Sequence, residues 1–371
     1  MVAPMPYPKI DAAKLQVFPL KERQSFINIQ SEAADPTAAA AADPGPAAGG
    51  IEQLAQRIRL AKSRGASIML TYGAHLIKNG AGPLLNWLIE HGYVTHLATQ
   101  GAGVIHDWEF AWLGRSSESV AANAPVGRFG SWDETGRWIN LAVLVGSAEG
   151  LGFGESLGRL IHTEAITFPQ PDELARQIAA DPAHDLSAAR ADLLWTMRKF
   201  AITPGRVSVP HPFKRYSVLA TAYSHHVPMT IHPGIGYDII VNHPMFHGGA
   251  VGRSSDTDIR IFARSVCNLS GGVYMSIGCA IMSPQVFEKA FSAANNLRQQ
   301  AGESFISGHT IAIVDLQDGG GWDWKQGEPP KTNPAYYLRY CKTFHRMGGM
   351  LSYLQCDNRL MLANLVQELR R

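Results

Sequence analysis

Residues 66–109 constrain the fold of this chain more than any other stretch. Ala66-Ser-Ile-Met-Leu-Thr-Tyr-Gly73 is an apolar, strand-like run closed by glycine, and an amphipathic helical pattern follows it to His91. A second short strand then begins at Thr95, runs through Thr99, Gln100, Gly101, Ala102 and Gly103, and opens into a helix with His106 and Asp107. Two consecutive strand–turn–helix units call for a parallel sheet that takes its ligand at the carboxyl ends of the strands. Glycines in the second turn admit a close backbone approach, and the N-terminus of the following helix favours an anion. The same Gly101 and Gly103 also fit a tight strand–helix connection with no ligand role, and Asp107 fits a helix cap.

The rest of the chain extends this pattern. Val227–Ile231, Val273–Ile277 and His309–Val314 read as strands. Helical periodicity covers 186–200, 216–226, 256–269, 284–296 and 358–370, and 140–161 reads as two elements joined by a glycine-rich turn. The expected fold class is α/β, a doubly wound, Rossmann-like, mainly parallel sheet in one domain over 51–371. Residues 1–50 are read as an N-terminal extension that docks on the body or on a neighbouring subunit, ending in the Ala/Pro/Gly-rich linker 31–50.

Composition limits the partners. Of 371 residues, 17% are charged and the net charge is +2, which is no nucleic-acid footprint. No apolar run approaches a membrane span and no secretory signal is evident. The four cysteines lack Cys-x-x-Cys spacing and read as reduced thiols of a cytoplasmic protein, with no zinc site expected from them.

The run Ile68-Met-Leu-Thr-Tyr-Gly-Ala-His-Leu-Ile-Lys-Asn-Gly80 and the turn at 99–107 resemble the cofactor-binding half of deoxyhypusine synthase. His226-Val-Pro-Met-Thr-Ile-His-Pro-Gly-Ile-Gly-Tyr-Asp238, Gly271–Gly278 and Asp357-Asn-Arg-Leu follow in the same order, so the resemblance spans roughly residues 60–370. It implies a Rossmann-like fold, bound NAD, and a homotetramer built as a dimer of dimers. It also implies transient oxidation of an amine substrate, followed by group transfer through an imine on a lysine. By this resemblance Lys342 falls on the nucleophile, Tyr340 on a neighbouring substrate-binding aromatic, Asp238 on an amine-binding acid, and Asp357 on the acid that reaches the cofactor ribose. Gly73, Ala74, His75, Thr99, Gln100, Gly101, Ala102, Gly103 and His106 join Asp357 as cofactor candidates. Three departures stand out: no histidine occupies the 276–277 region, Tyr336 stands where the family has a glutamate, and the acidic loop is altered at 323–333.

Two further groups carry chemistry. His225, His226, His232, His243 and His247 crowd around Asp238. His232, placed directly after a strand, is a candidate general base, whereas His225 and His226 fit a helix end and His243 and His247 a loop. A metal-assisted lyase or hydrolase built on this run is the alternative reading, and a non-catalytic nucleotide-binding scaffold a third. Asp315-Leu-Gln-Asp318-Gly-Gly-Gly-Trp322-Asp-Trp324 follows the strand at 309–314 and reads as a mobile loop. There Asp315 and Asp318 are placed to hold an amine or a divalent cation, with Trp322 and Trp324 stacked on the ligand or closing the site; the same residues also fit a surface loop with buried tryptophans.

Overall fold

The computed structural model describes residues 7–38 and 42–371. Residues 1–6 and 39–41, part of the expected extension and linker, lie outside the described residues. The central sheet is six parallel strands: β1 (Ile68–Tyr72), β2 (His96–Thr99), β3 (Met229–Ile231), β4 (Val273–Ile277), β5 (Thr310–Asp315) and β6 (Met350–Gln355). Their order across the sheet is 3-2-1-4-5-6, with every pairing parallel. This is the dinucleotide-binding order, in which the winding reverses between β1 and β4 and opens a crevice at their carboxyl ends.

Both sheet faces are covered, as unbroken apolar strands require. Along β1, Ile68, Leu70 and Tyr72 belong to the larger core, while Met69 faces the smaller one with Ala98, Tyr274, Ile311 and Ile313. The larger core receives α1 (Ala48–Ser63), α2 (Gly82–Glu90), α3 (Gly101–Leu113), α4 (Asp133–Ala148), α5 (Phe153–Thr163), α6 (Val218–Ser224) and the last helix. The smaller is closed by α7 (Gly248–Cys267), α8 (Met282–Gln300) and α9 (Arg339–His345), through Phe262, Phe287 and Phe344. The chain ends in α10 (Asn358–Arg370), packed beside α1.

The N-terminal segment packs on the body of its own chain. Leu20 and Ile29 are buried, and Arg23 makes two 2.7 Å bonds to Glu109 on α3 with both side chains almost fully covered. Residues 27–28 pair antiparallel with 115–116. Among the described residues no helix is long and apolar enough to cross a membrane.

Candidate active site

The carboxyl edge of the sheet gathers the turns that follow β1 to β6. After β1, Gly73 packs so closely on the chain after β4 that a Cβ there would collide with the Gly278 carbonyl oxygen. Gly278 has φ +57°, and a side chain there would also strike the Asn358 amide at the start of α10. Glycine is required on both counts. The start of the last helix therefore leans over the β1/β4 crevice and brings Asp357 and Asn358 to it. Asp357 accepts from the Leu360 N–H as the helix cap, with its residue otherwise exposed. Asn358 Oδ1 is buried beside Gly278 with no partner, an orphaned acceptor at the switch point.

Past β2, Thr99 donates to the Tyr72 carbonyl, and the Gln100 amide, oriented to satisfy its neighbours, bridges Tyr72 O and Ala74 N at 3.1 Å. These bonds tie the first two turns into one rigid rim. The space that a side chain at Gly101 would need is filled by the Asp238 carboxylate, and the space beside Gly103 by Thr99. The two glycines thus serve packing within the chain, and what sits at the head of α3 is a carboxylate. Asp238 is 4% exposed, accepts from the Gly234 N–H at 2.7 Å, and is pushed up to about 6 by burial against that hydrogen bond. His75 is exposed and Ala74 and Ala102 line the same rim.

His232 leaves β3 with its backbone N–H on the Thr99 carbonyl and its Nε2 3.3 Å from Thr230 Oγ1, while Nδ1 has no hydrogen bond among the described residues. Burial lowers it to about 4, so the ring is neutral near pH 7. His106 lies further along α3, its Nδ1 2.8 Å from Ser116 Oγ, which in turn donates to Glu109. It belongs to the network that anchors the N-terminal segment. Asp107 is a cap, though of another helix: it accepts from Ser217 Oγ and the Val218 N–H at the head of α6.

The other histidines disperse. His225 ends α6 on the Thr221 carbonyl, His226 is exposed with φ +55°, His243 pairs with Asp133, and His247 caps α7 beside Asp192. Among the described residues no three metal-ligating side chains converge.

Beyond β5, Asp315 is half-buried and Asp318 exposed, each accepting a backbone N–H of its own turn. Tyr340 is buried beside Asp315 with its hydroxyl near that of Tyr353, short of a well-formed hydrogen bond among the described residues. The tryptophans do not cover this edge. Trp324 is 3% exposed in the core, and Trp322, bonded to the Gly327 carbonyl, turns down the outer side of β6. Their indoles bury apolar surface that the glycine-rich sequence around them hides. Lys342 lies on α9 with its ammonium 3.8 Å from the Tyr336 ring centre; no hydrogen bond or ion pair among the described residues joins it to Asp238 or His232. Sequence reasoning did not single out Asn358, Thr230 or His96. Thr230 and His96 carry only the signal of polar residues inside apolar strands.

No family model matches this chain, and no curated protein matches it. Solved structures do match it, at low identity. Against the apo structure of ArgZ, an arginine dihydrolase from the ornithine-ammonia cycle in cyanobacteria, identity is 15% and the TM-score 0.43, with 86% of this chain and 32% of that chain covered. A conserved putative LOR/SDH protein from Methanococcus maripaludis S2 gives 14% and 0.45, covering 90% and 73%. AgrE in its ternary complex with ornithine and NAD+ gives 15% and 0.42, covering 89% and 34%. The chain spans about a third of the length of ArgZ and AgrE.

Proposed function

We propose that this protein is an NAD-dependent enzyme that acts on an amine-type substrate by transient oxidation, at the crevice where β1 and β4 diverge. The observation that carries this reading is the 3-2-1-4-5-6 strand order with Asp238, Asp315 and Asp357 set at the carboxyl edge around it. The residues fit the cofactor. Asn358 Oδ1 offers a buried acceptor in want of a donor, such as a ribose hydroxyl. Gly278 keeps the floor of the crevice free of a side chain, and Asp357 discourages a 2′-phosphate. Gly73, Ala74, His75, Thr99 and Gln100 form the rim that would hold the rest of the group, and His106 braces α3 from behind. Bound NAD supplies hydride acceptance from an amine-bearing carbon and its later return.

The chain's own groups do the remaining work. The Asp238 carboxylate, fixed by the Gly234 N–H, neutralises a cationic amine. Neutral His232 takes a proton through its free Nδ1. Asp315 and the Tyr340 hydroxyl offer an acceptor and an unspent hydroxyl to a second polar group of the substrate. Following the deoxyhypusine synthase resemblance, Lys342 forms the imine that carries the transferred group. A lysine does this only as a free amine, adding to the oxidised carbon and displacing the departing amine, and the face of Tyr336 lies against this one. The exposed Ile235, Tyr237, Ile281 and Leu316 on the turns after β3, β4 and β5 are apolar surface that a second copy covers, as in a dimer of dimers.

Calorimetric titration with NAD tests the first half of this reading, and saturable binding in the micromolar range is expected. Absence of binding to stripped protein sinks it. Lys342→Ala is expected to abolish turnover of polyamines or ornithine while leaving NAD affinity within about twofold. An active Lys342→Ala enzyme rules out the imine and leaves the cofactor site standing.

A further inference from the structure

His96, at the start of β2, is fully buried, yet both its ring nitrogens are bonded to hydroxyls. Nδ1 lies 2.8 Å from Ser265 Oγ on α7, and Nε2 lies 2.9 Å from Thr230 Oγ1 on β3. Thr230 Oγ1 is also 3.3 Å from His232 Nε2. His96, Thr230 and His232 share one face of the sheet because Ala98 pairs with Thr230 and side chains on a strand alternate. Phe262 of α7 seals that face, edge-on to both imidazoles with centroids 5.2 and 5.4 Å away. At the far end, Ser265 borders two open clefts on the amino side of the sheet, of about 630 and 790 Å³.

We propose that Ser265, His96, Thr230 and His232 form a proton relay through the sheet, which carries the proton taken up at His232 Nδ1 to water in the amino-side cleft. The inference rests on His232 acting as the base of the proposed site.

The proton count closes. A threonine hydroxyl has one proton, so between two imidazole Nε2 atoms it accepts from one and donates to the other. In the receptive state His232 Nδ1 is bare and its Nε2–H donates to Thr230. Thr230 then donates to His96 Nε2, His96 Nδ1–H donates to Ser265, and the Ser265 hydroxyl faces the cleft. When a substrate proton bonds to Nδ1, the Nε2 proton passes to Thr230 Oγ1 and the threonine proton to His96 Nε2. The Nδ1 proton of His96 passes to Ser265, and the serine proton leaves to water. Each hydroxyl and ring regains its original proton number, both histidines have exchanged tautomers, and one proton has crossed the sheet. The reverse sequence resets the chain and delivers a proton to the site.

Neutral rings suit this task. Burial lowers His96 to about 3 and His232 to about 4, and a charge on His232 further disfavours one on His96. The nearby acid on α7, Asp258, is committed to the N–H groups of Ile231 and Gly154, and Arg264 lines the cleft. Among the described residues no carboxylate is bonded to either ring to hold a charged imidazolium, so a proton arriving at His232 is passed on rather than stored.

The test reads ring-nitrogen chemical shifts by ¹⁵N NMR on the whole protein, with no need of substrate. Ser265→Ala removes the far end, three links from His232. In the native background it is expected to change the His232 Nδ1/Nε2 tautomer ratio. In Thr230→Val, which has nearly the same shape and no hydroxyl, the same change at Ser265 is expected to leave His232 unmoved. Thr230→Ser should restore the transmission and shows that loss in the valine variant is not misfolding. Shifts at His232 that ignore Ser265→Ala in the native background, or that respond equally in both backgrounds, overturn the relay. Once a substrate is in hand, Thr230→Val should lower kcat about tenfold to a hundredfold with KM little changed. NAD calorimetry on the unaltered protein fails independently if the cofactor reading is wrong.

Discussion

The two halves of the sheet bury similar strands by different means. Around β1, β2 and β3 the packing is threaded with polar groups. Glu109 takes both guanidinium nitrogens of Arg23 and the hydroxyls of Ser116 and Thr135, Asp107 caps α6, and Asp258 holds the edge of β3 at Ile231. Around β4, β5 and β6 the packing is aromatic: the rings of Tyr274, Phe287 and Phe344 meet at 4.1–5.8 Å, with Thr71, Tyr274 and Ser283 sharing the hydroxyl bonds. Buried polar bonds fix orientation, because each has one satisfying geometry, whereas rings in contact tolerate small shifts. Asp238 and His232, which need fixed positions, stand on the first half. Asp315 and Asp318, on the second, have side chains that accept only N–H groups of their own turn, while the backbone of that turn is tied to β6 through Tyr353 and Gln355.

The sharpest way to break this contrast is to remove Arg23. Arg23→Ala strands Glu109 as a buried, unpaired carboxylate and is expected to cost about 3–5 kcal/mol in urea unfolding. Arg23→Met combined with Glu109→Leu removes both charges and should recover most of that loss. A cost below about 1 kcal/mol for the single change would show that the N-terminal segment does not anchor α3.

Asp258 gives the next largest effect and has a definite pH signature. Burial raises it to about 8 against the pull of its N–H donors. Its folded value lies above the unfolded one near 3.9, so the folded state holds a proton that the unfolded state releases. Stability from this group is therefore complete at pH below about 4 and declines as pH rises toward about 8. Asp258→Asn keeps one acceptor for Ile231 and Gly154, should cost about 1–3 kcal/mol near pH 5, and should flatten the decline. An unchanged slope in the variant locates the pH dependence elsewhere.

The second half contains the opposite case. His309, at the start of β5, has both ring nitrogens buried and unpartnered beside Phe291, and burial lowers its pKa. The unfolded chain then takes up a proton first, near 6.5, so stability is full above that pH and falls as pH drops below it. His309→Leu should raise stability by about 1 kcal/mol at pH 7, and the advantage should widen toward pH 5 in denaturant titrations. A gap that stays constant with pH would mean that the ring finds a partner.

The same contrast explains what the sequence made legible. β1, β4 and β5 are mainly apolar runs of five or six residues, and the structure places them within two residues of where the run suggests. β6 was not legible, because Met350-Leu-Ser-Tyr-Leu-Gln355 is of mixed polarity and becomes a strand only by pairing with β5 along its length. The ribbon of Ala165–Phe168 with Gly205–Ser208 likewise depends on a distant partner. At the carboxyl edge, the positions of Gln100 and His232 follow from a strand running into a turn, whereas Asp238 was singled out only through the family resemblance. The role of Asp107 was not legible, since the N–H it caps is 111 positions away. Nor was the place of Asn358, which is set by how α10 leans over Gly278.

The smallest effect on the folded chain, and the finest test of the difference between the halves, concerns the exposed apolar side chains of the carboxyl edge. Ile281 is 75% exposed and Leu316 66%, so Ile281→Glu and Leu316→Glu remove no core contact and should alter unfolding free energy at low protein concentration by less than about 0.5 kcal/mol. If a second copy covers this edge, each glutamate places a charge in a closing interface, and sedimentation velocity should show the assembled species dissociating toward the 40.3 kDa chain. The turn held to β6 by Tyr353 and Gln355 would then be braced on its outer side by the neighbouring copy as well. Substituted proteins that keep the parent's mass and the parent's amine affinity would show that the second half needs no such cover, and that the bonds of its turn to β6 are already sufficient for binding.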